Sequence, residues 1–278
     1  MRSDVTFGPG LAGWHYEGDG PCVVMAHGFG GTRGARLDAF AERFQAAGLQ
    51  ALVFDYAGFG DSPGEPRQVV DIKAQLDQWR AAIAFARTLA DRLVLWGTSF
   101  SGGHVMVLAA EDPSIAAAIS QGAFADGLAT LGGFDMAANL KLTYHGLRDQ
   151  LGALAGRAPH YIPLVAAPGQ TAFMSTPDAE PGYRALVDAA WRNEAAARVA
   201  LRIATYRPAR KAPQIRCPWL VVIADRDKIC PPAALAKAAA RAPRAEVRRH
   251  DCEHFDIYVG DRFERNVADQ VNFLTRVL

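Results

Sequence analysis

An excess of charge of one sign is missing from this sequence. The 278 residues include 30 Lys and Arg and 29 Asp and Glu, which gives a formal net charge of +1, and no run of basic residues stands out. A protein that binds the phosphate backbone of nucleic acid or an anionic membrane surface needs a concentrated positive field. The charge pattern therefore argues against nucleic acid as a partner.

Long apolar runs and paired cysteines are also missing. No stretch approaches the roughly 18 apolar residues of a membrane span, and Met1–Pro9 lacks the apolar core of a signal peptide. The cysteines Cys22, Cys217, Cys230 and Cys252 form no C-x-x-C pair, which argues against a disulfide framework or a zinc site. We expect a cytoplasmic protein with free thiols, no metal site and no membrane span.

Half of the residues are apolar, which allows a substantial core. Apolar runs typical of buried strands occur at Cys22–Ala26, Ala51–Phe54 and Leu93–Gly97, and amphipathic helical patterns separate them. Such alternation requires a mainly parallel sheet covered on both faces. The alternation fails after about Asp126, where prolines recur, and resumes with the strand pattern Pro218–Ala224.

The break in the pattern predicts how the chain is divided. We interpret residues 1–125 and 214–278 as an α/β core with a doubly wound sheet of about eight strands, and residues 126–213 as an inserted, largely helical lid. Within this insertion, Leu186–Ile203 is dense in alanine and arginine and predicts its clearest helix. Long insertions in compact domains are often functional, so we expect this one to cover a site.

Three loops that follow strands carry, in chain order, a serine, an aspartate and a histidine. Ser99 lies in G-T-S-F-S-G-G between a strand and a helix, Asp227 lies in A-D-R-D-K-I-C-P, and His254 lies in E-H-F. The carboxyl ends of parallel strands share one sheet edge, so these loops converge. A serine nucleophile needs a histidine that takes its proton, and the histidine needs an acid that fixes its tautomer.

Two further loops complete the pattern: H-G-F-G-G begins at His27 and D-Y-A-G-F-G-D-S begins at Asp55. Together with the strand-turn-helix stretch G-T-S-F-S-G-G, they make the chain similar to the α/β-hydrolase superfamily over nearly its whole length. A lone G-x-S-x-G is weak, whereas several motifs in the required order are specific. The resemblance implies acyl chemistry without a cofactor.

The resemblance also implies roles for individual positions. Ser99 corresponds to the nucleophile, Asp227 to the acid and His254 to the base. The backbone N–H groups of Phe29 and Phe100 correspond to the oxyanion hole, which stabilises the charge that builds on the substrate oxygen.

Several alternatives stay open. Ser101 also fits part of the serine motif, and we prefer Ser99 because Ser101 falls inside the following helix. Asp225 and Asp126 are rivals for the acid, and Cys252 lies close in sequence to the histidine and is a second candidate nucleophile.

The predicted activity is hydrolysis of a carboxylic ester or thioester of a small acyl substrate through an acyl-enzyme on Ser99. Amide hydrolysis, acyl transfer and perhydrolysis use the same residues. A hydrolase-like protein that only binds a small apolar ligand is an alternative of another class, and the oligomeric state is open. Apolar side chains of the insertion line an acyl pocket or form the insertion's own core: Phe134, Met136, Tyr144, Phe173 and Trp191.

Overall fold

A central sheet of eight strands organises the molecule, whose computed structural model describes residues 1–132 and 136–278. The strands of this sheet are β1 (Arg2–Phe7), β2 (Leu11–Tyr16), β3 (Cys22–Ala26), β4 (Gln50–Phe54), β5 (Leu93–Thr98), β6 (Ala117–Gln121), β9 (Trp219–Ala224) and β10 (Ala245–His250). A separate pair, β7 (Tyr161–Ile162) and β8 (Ala195–Ala196), lies in the insertion.

The order across the sheet is β1-β2-β4-β3-β5-β6-β9-β10. The pairs β1–β2 and β2–β4 are antiparallel and the remaining pairs are parallel. Every residue of β3, β4, β5, β6 and β9 is buried, as expected of continuous apolar strands covered on both faces. The predicted α/β fold with a mainly parallel sheet of about eight strands is confirmed.

Helices cover both faces of the sheet. They are α1 (Leu37–Ala46), α2 (Ile72–Ala86), α3 (Phe100–Glu111), α4 (Gly127–Leu131), α5 (Met136–Leu154), α6 (Ala179–Arg184), α7 (Ala200–Ile203), α8 (Pro232–Ala239) and α9 (Gly260–Val277). None of these described helices is long and apolar enough to cross a bilayer.

Two neighbouring residues of β5 show how the two faces are divided. The Trp96 indole packs on Phe40 of α1, with ring centroids 5.0 Å apart, and donates a 2.7 Å hydrogen bond to Gln270 of α9. The next residue, Gly97, lies so close to α3 that a Cβ there would overlap the Ser101 carbonyl. Successive residues of a strand face opposite sides, so α1 and α9 cover one face and α3 covers the other.

The segment between β6 and β9 holds α4 to α7 and the β7–β8 pair. It contacts the loops at the carboxyl edge of the sheet: the Tyr183 hydroxyl donates to the Phe29 carbonyl at 2.9 Å, and the Trp191 indole donates to the Gly30 carbonyl at 3.0 Å. The insertion is thereby joined to the loop that follows β3.

The predicted helix over Leu186–Ile203 is wrong. Residues 187–194 are irregular, and regular structure resumes with β8, a 3-10 turn at Ala197–Val199 and then α7. Side chains from elsewhere hold this backbone: the Gln68 amide donates to the carbonyls of Arg192 and Glu194 at 3.2 and 2.9 Å. These tertiary hydrogen bonds override the helix propensity of the alanine and arginine residues.

Candidate active site

Ser99 occupies a sharp turn between β5 and α3. Its backbone has φ 53° and ψ −121°, a region that residues other than glycine rarely adopt. The turn is fixed because the Ser99 N–H donates to the Gln121 carbonyl at 2.9 Å, and the Ser99 carbonyl accepts from the amides of Gly102 and Phe124. A strand-turn-helix of this kind holds the serine side chain above the sheet edge.

Glycines permit this crowded turn. A Cβ at Gly28 would lie 2.9 Å from the Cβ of Ser99, and a Cβ at Gly102 would lie 2.6 Å from the Cβ of Ala123. Real Cβ atoms do not approach this closely, so side chains at these two positions would displace the turn. The loop after β3 is therefore packed directly against Ser99, and the start of α3 is packed against the loop after β6.

Ser101 has a different environment from Ser99. Its hydroxyl lies 2.8 Å from the Tyr56 hydroxyl and accepts a 3.2 Å hydrogen bond from the Trp79 indole, and all three residues are buried. Its side chain is thus held in the core beneath the turn, which explains how a Cβ is accommodated where the superfamily pattern has glycine. The two cavities that Ser99 lines do not include Ser101.

Asp227 and His254 form a buried pair. The His254 Nδ1–H donates to Asp227 Oδ2 at 2.6 Å, and Asp227 Oδ1 accepts 2.7 Å hydrogen bonds from the amides of Ile229 and Cys230. Burial disfavours the charged imidazolium, but the Asp227 carboxylate outweighs this and raises the pKa of His254 above its ordinary value. The pair fixes the imidazole so that its Nε2 is left for another partner.

The two other candidate acids are engaged elsewhere. Asp225 pairs with Arg249 at 2.6 Å. Asp126 accepts from the Leu128 amide at 3.0 Å at the start of α4 and pairs with Arg207 at 2.8 Å. Of the three aspartates considered, Asp227 is the one that contacts His254.

The remaining buried polar residues nearby have structural contacts. Asp55 accepts from the Arg33 amide at 2.6 Å and from its guanidinium at 2.7 Å, which ties the first glycine-rich loop to the loop after β4. The His27 Nδ1–H donates to the Gly28 carbonyl at 2.9 Å, and burial lowers the pKa of His27 to about 4. A neutral His27 is therefore part of the loop scaffold at neutral pH.

The predicted oxyanion donors, Phe29 and Phe100, lie on two elements that meet beside Ser99. Their rings touch edge to face with centroids 5.4 Å apart. Among the turn and loop hydrogen bonds of the described residues, neither backbone amide donates to a carbonyl. Both N–H groups are consequently free of the backbone pairing that would prevent them from binding a substrate oxygen.

Two small cavities meet at Ser99. One, of about 30 Å³, is lined by both Ser99 and His254. The other, of about 60 Å³, is mostly apolar and is lined by Phe29, Ser99, Phe100, Phe124, Thr130, Leu131, Leu142, Phe173, Met174, Ile203, Ile229 and Cys230.

The structure corrects part of the predicted acyl pocket. Phe173 lines the apolar cavity, whereas Met136 and Tyr144 are 74% and 63% exposed on the outer face of α5, so their assignment to the pocket is wrong. The pocket-facing residue of α5 is Leu142, which the helix turns toward the core. Trp191 packs on Tyr183 beside the loop and lines neither cavity.

The remaining pocket prediction, Phe134, lies outside the described residues.

Cys230 is a site residue that the sequence pattern did not single out. Its Sγ lies 4.0 Å from Ser99 Oγ. Burial, together with the Asp227 carboxylate, raises the pKa of Cys230 well above its ordinary value, so the thiol stays protonated. Cys252, the thiol considered from the sequence, lines neither cavity, and burial raises its pKa to about 11.

The donor atoms of Asp227, Cys230 and His254 lie within 4.8 Å of one another, which makes them a group that could hold a metal ion among the described residues. Zinc binds thiolate sulfur at about 2.3 Å in structural sites. Here the thiol is protonated and both Asp227 oxygens already accept hydrogen bonds. The donor set fits a hydrogen-bonded acid-histidine pair better than a metal site.

Comparison with known proteins decides the family. Residues 20–256 match the family model described as serine aminopeptidase, S33. The chain belongs to the S33 family of α/β hydrolases. Members of this family are hydrolases, which agrees with the arrangement around Ser99.

Two curated relatives of this S33-family chain cover most of its length. The quorum-quenching protein AidA of Acinetobacter baumannii is 47% identical over 264 residues, which are 93% of this chain and 87% of the relative. The thiohydrolase aneE of Aspergillus aculeatus is 27% identical over 94% of this chain and 87% of its own length.

Solved structures agree with the fold. The α/β hydrolase GrgF from a Penicillium species aligns with a TM-score of 0.81 at 23% identity, over 100% of this chain and 99% of GrgF. DcsB, solved in complex with a substrate analogue, aligns with a TM-score of 0.84 at 21% identity, over 100% of this chain and 98% of DcsB. At these identities the likeness concerns the fold alone.

Proposed function

We propose that this S33-family protein is a serine hydrolase that cleaves small carboxylic esters or thioesters through an acyl-enzyme on Ser99. The observation that carries the proposal is the buried 2.6 Å hydrogen bond between His254 and Asp227, next to a serine on a strained turn and beside an apolar cavity. A serine of this kind becomes a nucleophile when a neighbouring histidine accepts its proton.

In the first step, Ser99 Oγ attacks the acyl carbonyl while His254 Nε2 takes the serine proton. Asp227 stabilises the imidazolium that forms, since its carboxylate accepts from Nδ1. The amide N–H groups of Phe29 and Phe100 bind the oxyanion; loss of one such donor costs roughly 2.7–4 kcal/mol in other enzymes. His254 then passes the proton to the leaving alcohol or thiol.

In the second step, water attacks the acyl-enzyme. His254 removes a proton from this water, the tetrahedral intermediate collapses, and His254 returns the proton to Ser99 Oγ. The acid product leaves and the resting enzyme is restored.

Cavity size favours short acyl groups. The cavity beside Ser99 has a volume of about 60 Å³ and a mostly apolar lining. On the side of the insertion, the cavity is lined by Thr130, Leu131, Leu142, Phe173, Met174 and Ile203. We infer that acetyl to butyryl groups enter this closed form and that longer chains require the insertion to move.

The relative from Acinetobacter baumannii is a quorum-quenching protein, which makes acylated signal compounds a reasonable part of the substrate panel. Lactones are cyclic carboxylic esters and react by the same two steps. The thiohydrolase relative supports the inclusion of thioesters.

The test is a panel of p-nitrophenyl acetate, butyrate and octanoate, an acyl lactone and a butyryl thioester, assayed with the wild type and with Ser99→Ala. We expect the variant to lose on the order of 10³-fold or more in kcat/KM on every substrate that the wild type cleaves. Ser101→Ala tests the rival serine and is expected to stay within tenfold of the wild type. Full activity of Ser99→Ala would refute the proposal.

The non-catalytic alternative is tested in the same samples. A protein that binds an acyl ligand in a thermal-shift assay, yet cleaves no member of the panel, would be a ligand-binding protein rather than a hydrolase. Transfer of the acyl group to an added amine or alcohol in preference to water would mark an acyltransferase.

A further inference from the structure

Helix α5 presents an exposed apolar stripe to the outside of the molecule. Six of its side chains are between 50% and 77% exposed, with Leu147 the least and Leu154 the most exposed. The stripe consists of Met136, Leu140, Tyr144, Leu147, Leu151 and Leu154.

The spacing of this stripe is regular. From Leu140 to Leu154 the apolar residues follow one another at intervals of four, three, four and three positions, which is the pattern of a helix that packs along another helix. The opposite side of α5 is already used: Leu142, Gly146 and Asp149 are buried against the rest of the protein. The exposed stripe is therefore a second apolar surface of the same helix.

The area of the stripe is large for a surface that stays in water. At about 150 Å² per side chain, the low end of the range for aromatic residues, and at their exposed fractions, the six side chains together offer on the order of 600 Å². The largest apolar patch on a typical monomer is about 300–600 Å², and a stable interface buries about 800 Å² per partner. The stripe reaches the upper end of the first range and about three quarters of the second value.

The width of the α5 stripe indicates which kind of partner binds it. Polar side chains border the stripe directly: Lys141 and Arg148 on one side, Thr143 and Gln150 on the other. A lipid surface is matched by a broad apolar face, whereas a narrow seam with polar borders fits another helix with a seam of the same kind. A second copy of α5 provides that seam, and a two-fold axis brings the same patch of both chains together.

We propose that the protein is a homodimer whose two-fold interface is formed by the α5 stripes of the two copies. The inner face of α5 carries Leu142, which lines the apolar cavity. If the proposed function is correct, on which this point rests, dimer formation also fixes one wall of the acyl pocket.

The first test measures mass in solution by sedimentation velocity between 1 and 100 µM. We expect the wild type to show twice the chain mass of 29.9 kDa and Leu147→Glu/Leu151→Glu to show the single mass. The dissociation constant is expected to rise more than a hundredfold in this variant. Val247→Glu, at an exposed apolar position on β10, is the matched control and should remain a dimer.

The second test does not depend on how well the charged variant folds. Tyr144→Cys/Leu147→Cys places thiols at the centre of the stripe, where they meet those of the partner in either helix direction, and the native cysteines are all buried. Oxidation should give a covalent dimer that reductant reverses.

A wild-type monomer at 100 µM, or a dimer that Leu147→Glu/Leu151→Glu leaves intact, would overturn the dimer proposal. So would a wild type that is monomeric and sediments with anionic phospholipid vesicles through this stripe. Because the readout is mass rather than turnover, these results are independent of whether Ser99 is the nucleophile.

Discussion

Ser99, Ser101 and Cys230 lie close to the turn after β5 and carry groups able to attack a carbonyl. The Ser101 hydroxyl is held by Tyr56 in the core, and the Cys230 thiol is kept protonated by burial and by the nearby Asp227. Ser99 alone among these three both borders the cavity of His254 and sits on the strained turn. The contacts of these side chains therefore point to Ser99 as the nucleophile.

Ser101→Ala should cost stability and spare activity. It removes a buried hydroxyl that accepts from Trp79, but the Trp79 indole keeps a 2.7 Å hydrogen bond to Tyr56, so the donor stays satisfied. The expected loss in the free energy of unfolding is about 1–2 kcal/mol, measured by urea denaturation. Ser114→Ala, an exposed serine, is the control; equal losses in both variants would contradict the role given to Ser101.

The rate should depend on pH through His254. Only neutral imidazole can take the Ser99 proton, so kcat/KM should rise as pH increases through the pKa of His254. Burial opposes protonation, but the Asp227 carboxylate outweighs it and holds this pKa above the ordinary 6.5.

Asp227→Asn removes the carboxylate, so the rise of kcat/KM with pH, the acid limb of the profile, should shift to lower pH. The same variant should decrease kcat by orders of magnitude. Profiles of kcat/KM from pH 4 to 9 measure both effects. An acid limb that stays at the same pH in the variant would show that another group controls it.

At the scale of elements, the insertion between β6 and β9 forms the variable wall of the cavity. Leu142 of α5 and Phe173 face the apolar space that also borders Ser99. Thr130, Leu131, Met174 and Ile203 complete the insertion's side of this cavity. The remaining wall comes from the turn after β5 and the loops after β3, β6 and β9, which are fixed by the sheet. Substrate length should therefore be set by the insertion rather than by the core.

Phe173→Ala should move the preference toward longer chains. The truncation opens space next to a cavity of about 60 Å³, so the ratio of kcat/KM for octanoate to that for acetate should increase about tenfold or more. Trp191→Phe is the control, because Trp191 lines neither cavity and should leave the ratio unchanged. A fall in both rates with a constant ratio would contradict the claim that Phe173 limits the length of the acyl chain.

Asp149 anchors α5 to the rest of the insertion. It is buried and accepts from the His160 amide at 2.7 Å and from the Arg198 amide and guanidinium at 2.8 and 2.7 Å. Asp149→Ala leaves these donors unpaired, and we expect a loss of about 3 kcal/mol in the free energy of unfolding. The exposed Asp188→Ala should lose under about 1 kcal/mol; similar urea midpoints for the two variants would contradict the anchoring role.

At the scale of the whole molecule, the sheet is the part that the sequence predicts well. Strands β3, β4, β5 and β9 are almost continuous apolar runs because both of their faces are covered, and the predicted bounds lie within one residue of the observed ones. The convergence of Ser99, Asp227 and His254 is likewise a consequence of parallel topology.

The insertion is less predictable because distant residues hold its backbone. Gln68 holds the carbonyls of Arg192 and Glu194, so a segment with strong helix propensity is irregular. Cys230 reaches Ser99 across 131 positions of sequence through the packing of β9 beside β6. The local sequence pattern does not predict such contacts between residues that are distant along the chain.

The central claim is that Ser99 is the nucleophile, and covalent labelling tests it most directly. The wild type is treated with a fluorophosphonate, digested and sequenced by mass spectrometry, with Ser99→Ala and Cys230→Ala in parallel. The account predicts one phosphonate on Ser99 in the wild type and in Cys230→Ala, and none in Ser99→Ala. An adduct on Ser101 or Cys230, or unchanged labelling of Ser99→Ala, would contradict it.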